Sequence, residues 1–204
     1  PALTDEQRKR VRRNIREAAA KLYAQNGVRD VSVRAVAEHA GVSVGTVYSY
    51  FGSLSELLQS LWRQPVRKLV QQMTQIAQEI SHPAERLSAL LQAYVRFSLE
   101  EPQVFRSAML FVRPESIPQP DQIALADDTF FTLFVQAIAD GQQDGQFREG
   151  DPAVLAQLVL SAVHGALALP VNLHRLALMP GASAAEQAIS AQLQWLQHDK
   201  AKRS

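Results

Sequence analysis

The chain of 204 residues is 47% hydrophobic and 20% charged, which is the balance of a globular protein with a core and not of a disordered chain. It contains no cysteine, which excludes disulfides, thiol catalysis and cysteine-ligated zinc. No window approaches the roughly 20 uninterrupted apolar residues needed to cross a bilayer, and the polar, basic first residues lack the apolar stretch of a secretory signal. We therefore expect no interaction with a membrane.

The formal net charge of +1 conceals an uneven distribution along the sequence. Residues 1–52 carry nine Lys/Arg against five Asp/Glu, a net charge of +4, whereas the remaining residues carry −3. This asymmetry is what a chain shows when only its first quarter meets a polyanion such as nucleic acid. A basic run is more often a solvated face, so charge alone does not decide between the two interpretations.

Hydrophobic periodicity predicts helices along nearly the whole chain, and the alternating patterns typical of strands are scarce. Capping boxes, in which a hydroxyl and a returning side chain satisfy free backbone N–H groups, mark helix starts at Thr4 with Gln7, Ser53 with Glu56 and Ser183 with Glu186. Asp151 before Pro152 marks another start. We predict an all-α fold of about nine helices, near residues 4–25, 33–39, 44–51, 54–80, 83–99, 102–111, 121–140, 152–176 and 184–198.

The most informative segment is residues 32–51, which reads as two short helices joined by a sharp turn. Gly41 can adopt the positive φ that such a turn requires, and Ser43 can cap the second helix. On that helix Val47 and Phe51 are four residues apart, so they point together into a small core. The opposite face carries small and hydroxyl-bearing side chains without acidic ones, as a helix that enters the major groove of DNA needs. An ordinary helical hairpin is the alternative.

From Arg16 to Leu58 the sequence resembles the tetracycline repressor (TetR) family of bacterial regulators. The likeness is carried by Gly27, Ser32-Val33-Arg34, Ala40-Gly41-Val42-Ser43, Gly45-Thr46-Val47-Tyr48-Ser49-Tyr50-Phe51 and Glu56-Leu57-Leu58. The resemblance implies that residues 32–40 are the supporting helix and residues 44–51 the recognition helix of a helix-turn-helix that binds double-stranded operator DNA. We predict that the DNA-binding residues are Arg34, Ser43, Val44, Gly45, Thr46, Tyr48, Ser49 and Tyr50. Of these, Thr46, Tyr48 and Tyr50 match positions that commonly touch DNA in the family.

One position departs from the family pattern. Members often have a lysine just after the recognition helix, and the aligned residue here is Leu54. We therefore expect one phosphate contact, with its salt-dependent share of affinity, to be missing. The basic segment from Arg8 to Arg16 is our hypothesis for what compensates.

Residues 53–204 resemble the family only in their helical plan and in local phrases such as those at 145–148 and 162–165. By that resemblance the last two helices of each subunit pack into a four-helix dimer interface, and a twofold dimer suits a palindromic operator. We predict that the homodimer interface contains Leu155, Leu158, Ala162, Gly165, Ala166, Ile189, Leu193 and Leu196. The alternative is that these apolar stripes belong to the core of one chain. We assign residues 1–52 to a DNA-binding domain and residues 53–204 to a helical ligand-binding and dimerisation domain.

A ligand cavity would lie among the fourth to eighth helices. The candidate lining residues are Trp62, Phe97, Phe105, Met109, Phe131, Phe134, His164 and Asn172. This mostly apolar set favours an aromatic, lipid-like or drug-like effector, although the same side chains are the normal filling of a helical bundle. His164 lies in an apolar run, where it either orients a polar group of a ligand or is satisfied by a neighbour.

The sequence offers little for catalysis or for metal binding. Its five histidines include no i, i+4 pair and no carboxylate at metal-ligand spacing, and we find no phosphate-binding glycine loop, dinucleotide fingerprint or nucleophile elbow. We therefore expect no cofactor, no metal and no enzyme activity.

We predict a homodimeric TetR-type regulator of the bacterial cytoplasm, associated with the nucleoid. It would act as a repressor that is released from a palindromic operator by a small, largely apolar effector. Two alternatives remain: a ligand-independent DNA-binding protein whose C-terminal domain only dimerises, and an all-helical enzyme.

Overall fold

The computed structural model describes residues 4–26, 31–110 and 128–197, excluding the side chains of residues 24–26, 62, 107 and 108. Within these ranges the chain forms nine α-helices and no strand, which confirms the all-α prediction. The helices are α1 (Asp5–Asn26), α2 (Val33–Ala40), α3 (Val44–Tyr50), α4 (Leu54–Glu79), α5 (Pro83–Glu100), α6 (Pro102–Met109), α7 (Thr129–Gln143), α8 (Pro152–Asn172) and α9 (Gly181–Gln197).

Helix starts follow the capping chemistry at most of the predicted positions. At α1 the box is complete, since the Thr4 amide donates to Gln7 Oε1 at 2.8 Å and the Gln7 amide donates to Thr4 Oγ1 at 3.3 Å. At α4 the Ser53 hydroxyl accepts from the Glu56 amide at 3.1 Å, but the Glu56 carboxylate accepts from the amide of Gly52 at 3.0 Å. The box at α4 therefore closes one residue earlier than predicted.

Three helix ends in the described residues differ from the prediction by three residues or more. The Ser183 capping box is wrong, because α9 already begins at Gly181 and the Pro180 carbonyl accepts from the Ala184 amide at 3.0 Å. Helix α8 ends at Asn172, before the predicted end at 176. Helix α7 continues through Gly141 to Gln143, beyond the predicted end at 140. A Cβ at Gly141 would lie 2.2 Å from the Phe147 ring, so this glycine serves close packing of the ring and not a turn. The predicted start of α7 at 121 lies outside the described residues.

The chain divides into two compact units, and one division falls inside α4, between Val66 and Arg67. The core of the N-terminal unit contains Leu57 and Leu58 from the first turns of α4, which are 0% and 4% exposed. Those turns therefore complete the small core, and the compact unit extends beyond the domain end at residue 52 that the motif alone indicates.

The second unit is a bundle in which α8 packs against α5, α7 and α9. Its helices are also joined by an ion pair, since the Arg86 guanidinium on α5 binds the Asp140 carboxylate on α7, which also accepts from Gln136 at 2.7 Å. Helix α8 is long and apolar enough by composition to span a membrane, with a mean hydropathy of 1.9 over 18 residues, although Ser161 and His164 interrupt it. Core helices of globular bundles are also long and apolar, so composition alone does not identify a membrane span. Within the chain, 33% of the 18-residue window of α8 is buried.

Candidate DNA-binding helix and effector site

The turn between α2 and α3 is built as the sequence predicts. Gly41 adopts φ +66°, in the left-handed region, and its amide donates to the Glu38 carbonyl at 3.2 Å. The Ser43 hydroxyl then accepts from the Thr46 amide at 3.0 Å, which caps the first turn of α3. Both contacts are local in sequence, and together they fix the direction in which α3 leaves the turn.

Tertiary packing fixes the rotation of α3 about its own axis. Val47 is 1% exposed in the core of the N-terminal unit, and so is Phe51, which follows the helix as its C-cap. Both were predicted to point inward, and this is confirmed. Because these two side chains are buried, the opposite side of α3 must face away from that core.

Most of the predicted DNA-binding residues of α3 face away from the core, whereas Tyr50 packs against it and Arg34 lies on α2. Tyr48 is 51% exposed and Val44 is 41% exposed. Thr46 and Tyr50 are half-buried. The other four residues are exposed: Arg34, Ser43, Gly45 and Ser49.

Two hydrogen bonds order the small side chains on that surface. The Ser43 and Thr46 hydroxyls lie 2.8 Å apart, and the Ser49 hydroxyl donates to the Thr46 carbonyl at 2.8 Å. A Cβ at Gly45 would meet only Ser43 Oγ, at an ordinary 3.7 Å. The fold of the chain therefore does not require glycine at 45. Close approach of a binding partner to this helix would require it.

The basic residues of α1 are exposed at positions 8, 9, 10, 12 and 13. The Arg12 guanidinium carbon lies 4.7 Å from the centre of the Phe51 ring, and Arg13 is 3.8 Å from the Glu17 carboxylate on the surface. Leu54, at the position where the family often has lysine, is half-buried and packs against the same core. The leucine therefore serves packing, and positive charge reaches the end of the recognition helix from α1 instead.

The structure separates the predicted effector-site residues. Phe97, Phe105 and Phe134 are buried in the second unit, and Phe131 and His164 are half-buried there. Asn172 is exposed, and the half-buried Met109 belongs to the N-terminal unit. The side chain of Trp62 lies outside the described residues.

Tyr94, which sequence reasoning missed, joins several of these side chains. Its ring centre is 5.6 Å from that of Phe105, 5.7 Å from that of Phe130 and 6.3 Å from that of His164. Its hydroxyl oxygen lies 2.8 Å from Nδ1 of His164. Tyr94 could have been predicted from its spacing, because it lies three residues before Phe97 on the same helix.

Burial keeps this polar pair neutral. Desolvation lowers the pKa of His164 below its ordinary value and raises the pKa of the Tyr94 phenol. This cluster therefore combines aromatic rings with one uncharged hydrogen-bonded pair.

The predicted dimer residues fall into two groups. Leu155, Ile189 and Leu196 are at most 6% exposed and pack within one chain, so they offer little surface to a partner. Leu158 is 50% exposed. The other four predicted dimer residues are half-buried: Ala162, Gly165, Ala166 and Leu193.

Comparison with known proteins agrees with the geometry. Residues 15–61 match "Bacterial regulatory proteins, tetR family", and residues 87–192 match "Tetracyclin repressor-like, C-terminal domain". The chain is 22% identical to the fatty acid metabolism regulator protein of Bacillus subtilis over 150 residues, which are 73% of this chain and 77% of that protein. It is 25% identical to the transcriptional repressor KstR2 of Mycolicibacterium smegmatis over 138 residues, 67% of each chain.

Solved structures share the same fold. The transcriptional regulator FadR from Bacillus subtilis, solved in complex with stearoyl-CoA, superposes with a TM-score of 0.70 at 18% identity, covering 90% of this chain and 98% of that one. The helical plan is therefore the same as in FadR. Since the C-terminal match alone, residues 87–192, covers more than half of the sequence, the chain belongs to the TetR family and is a transcriptional regulator with an N-terminal helix-turn-helix.

Proposed function

We propose that this chain is a homodimeric repressor that binds a palindromic operator in the bacterial nucleoid and is released by a small, largely apolar effector. Residues 1–52 would contact DNA, and residues 53–204 would dimerise and bind the effector. The observation that carries the proposal is the two-sided character of α3, on which Val47 is 1% exposed and the adjacent Tyr48 is 51% exposed. A short, capped helix with an exposed face free of acidic side chains matches what the major groove admits.

The exposed face of α8 supports a dimer. Val154, Leu158 and Leu169 are each at least half exposed, and they recur along one side of the helix. Gly165 lies between them, and a Cβ there would meet nothing within 4 Å, so the backbone is open to close approach by another helix. A twofold dimer would place two copies of α3 on successive major grooves, about 34 Å apart.

The aromatic cluster of the second unit supports an apolar effector. Tyr94 lies within ring-contact distance of Phe105, Phe130 and His164 in that unit, and Phe105 is also in contact with His164. FadR, whose fold this chain shares, was solved with stearoyl-CoA, a ligand with a long acyl chain. An effector that binds better to a dimer with wrongly spaced recognition helices would lower operator affinity by shifting the population.

Selection of bound sites from random duplex DNA by the purified protein tests DNA recognition directly. We expect enrichment of an inverted repeat whose half-sites are centred about one helical turn apart, or a multiple of it. A Val44→Glu, Tyr48→Ala variant is the matched control, because both side chains are exposed and their loss leaves the core intact. Failure of the wild-type protein to enrich any sequence would refute the proposal.

Effector release needs a separate experiment. A thermal-shift screen against acyl, aromatic and drug-like compounds finds ligands of the native state, because such ligands raise apparent stability. Hits are then titrated against the protein–operator complex, and we expect operator affinity to fall. DNA binding that no native-state ligand alters would favour a regulator whose second unit only dimerises.

A further inference from the structure

The hydrogen bond between Tyr94 and His164 is a polar feature inside an apolar bundle. Tyr94 lies on α5 and is 2% exposed, and His164 lies 70 residues away in the middle of α8. The rings of Phe105 and Phe130 flank the tyrosine at 5.6 and 5.7 Å, and Phe105 also lies 6.0 Å from the histidine. A bundle of this kind is stable with apolar residues alone, so a buried polar pair at this position calls for an explanation.

The chemistry of the two groups sets the direction of the bond. Neutral imidazole has one N–H donor and one acceptor nitrogen, and that nitrogen accepts more strongly than a phenol oxygen. The Tyr94 hydroxyl therefore donates to Nδ1 of His164, and this fixes the tautomer with the proton on Nε2. Within the part of the chain that the structure describes, no hydrogen bond from Nε2 is found, and His164 keeps accessible surface while Tyr94 and Phe105 are almost fully buried.

We propose that the Nε2–H of His164, oriented by Tyr94, is the polar recognition group of the effector site and donates a hydrogen bond to the carbonyl oxygen of a largely apolar ligand. The ligand class is thus ketones, esters or thioesters with an apolar chain or ring. The inference rests on the proposed function, because it assigns the second unit to effector binding.

A neutral carbonyl fits this environment better than a charged group does. Burial disfavours the imidazolium, so His164 itself does not offer a cation that would bind a carboxylate. Arg86, a largely buried cation of the same unit, is already paired with Asp140. The Nδ1 atom of His164 accepts from the Tyr94 hydroxyl, so it cannot also accept from an ammonium group on the ligand.

The test compares ligands that differ only in the acceptor. The probes are 2-alkanones of increasing chain length, each matched with the 2-methyl-1-alkene in which a methylene group replaces the carbonyl oxygen. Dissociation constants are measured on the full-length wild-type chain by equilibrium dialysis. We expect the best ketone to bind about tenfold more tightly than its alkene, which is the usual effect of one hydrogen bond that would otherwise be unmade.

Variants of His164 locate the effect. His164→Phe keeps an aromatic ring and should abolish the preference for the ketone, whereas His164→Gln places an N–H close to the position of Nε2 and should retain most of it. Tyr94→Phe removes the hydroxyl that fixes the tautomer and should reduce the preference several-fold. His174→Gln is the matched control, because His174 is exposed in the connection after α8.

Each contrary result is decisive. Equal affinity for ketone and alkene in the wild-type chain, no ketone binding at any chain length, or a preference that survives in His164→Phe would overturn the inference. If His164→Phe does not fold, the ratios of ketone affinity to alkene affinity in His164→Gln and Tyr94→Phe decide the test. Operator binding by the same samples separates the two proposals: a chain that selects an inverted repeat but ignores the carbonyl refutes only the role of His164.

Discussion

The Arg12 guanidinium lies 4.7 Å from the centre of the Phe51 ring, over the residue that caps the end of the recognition helix. Phe51 is 1% exposed and fixed in the core, whereas Arg12 is exposed, so the ring holds a cation at the protein surface next to α3. With leucine at position 54, we expect phosphate contacts to come from α1 instead.

The first prediction concerns this basic segment. Replacing Arg10, Arg12 and Arg13 by glutamine should weaken binding to all duplexes alike. It should also reduce the slope of log K against log salt concentration by about 1 to 3, because each lost phosphate contact contributes about 0.9 to that slope. Electrophoretic mobility shifts or fluorescence anisotropy over a salt series measure both quantities.

The control variant removes the same charge elsewhere. Arg67, Lys68 and Arg175 are exposed, and their replacement by glutamine should leave the slope nearly unchanged. Equal slopes for the wild-type chain and the α1 variant would show that α1 does not contact phosphates.

The second prediction uses two glycines with different roles. Gly45→Ala should raise the free energy of unfolding by about 0.5 to 1 kcal/mol, because alanine is the better helix former and a Cβ at 45 meets only Ser43 Oγ at 3.7 Å. The same change should lower operator affinity, because the new methyl group lies on the surface that approaches DNA.

Gly41→Ala is the converse control. Its φ of +66° is strained for any other residue, so this variant should lose about 1 kcal/mol or more of stability. Urea denaturation and operator titration of both variants check the contrast. A Gly45→Ala protein that binds its operator as tightly as the wild type would place the glycine outside the interface.

Sequence reasoning succeeded where the cause of a feature is local. The turn at Gly41 and the cap at Ser43 depend on neighbours within a few residues, and both lie where they were predicted. The predicted end of α7 at residue 140 was wrong, because Gly141 serves a contact with the Phe147 ring, which composition does not reveal.

Contacts between residues far apart in the sequence could not be predicted either. The Tyr94–His164 pair joins residues 70 positions apart, which no local pattern connects. Similarly, the apolar stripe on α8 includes Leu155, which is 6% exposed, and Leu158, which is 50% exposed, and periodicity alone cannot tell the intramolecular side of a helix from the side left for a partner.

The third prediction tests the dimer face. Leu158→Glu places a charge on an exposed apolar position, so the single chain should fold normally while the dimer dissociates. Sedimentation equilibrium should show a monomer, and operator affinity should fall by at least about tenfold, because one half-site alone is contacted at a time.

Leu99→Glu is the comparison on another helix, since Leu99 is 59% exposed on α5 and is not itself a predicted interface residue, although it lines a groove with Leu193 of α9. A dimer that persists in Leu158→Glu but dissociates in Leu99→Glu would move the interface to α5.

The last prediction concerns pH. Burial holds the pKa of His164 below its ordinary value, so in acid the unfolded chain takes up a proton before the folded chain does. The stability due to the neutral imidazole is complete above about pH 6.5, the ordinary pKa of histidine, and falls as the pH drops below it. Denaturation at a series of pH values should therefore show a smaller loss of stability on acidification for His164→Gln than for the wild type, while His174→Gln, which removes an exposed imidazole, should retain the wild-type loss. Identical curves for wild type and His164→Gln would mean that the folded chain tolerates the imidazolium, and His164 would then have to face solvent instead of the aromatic rings around Tyr94.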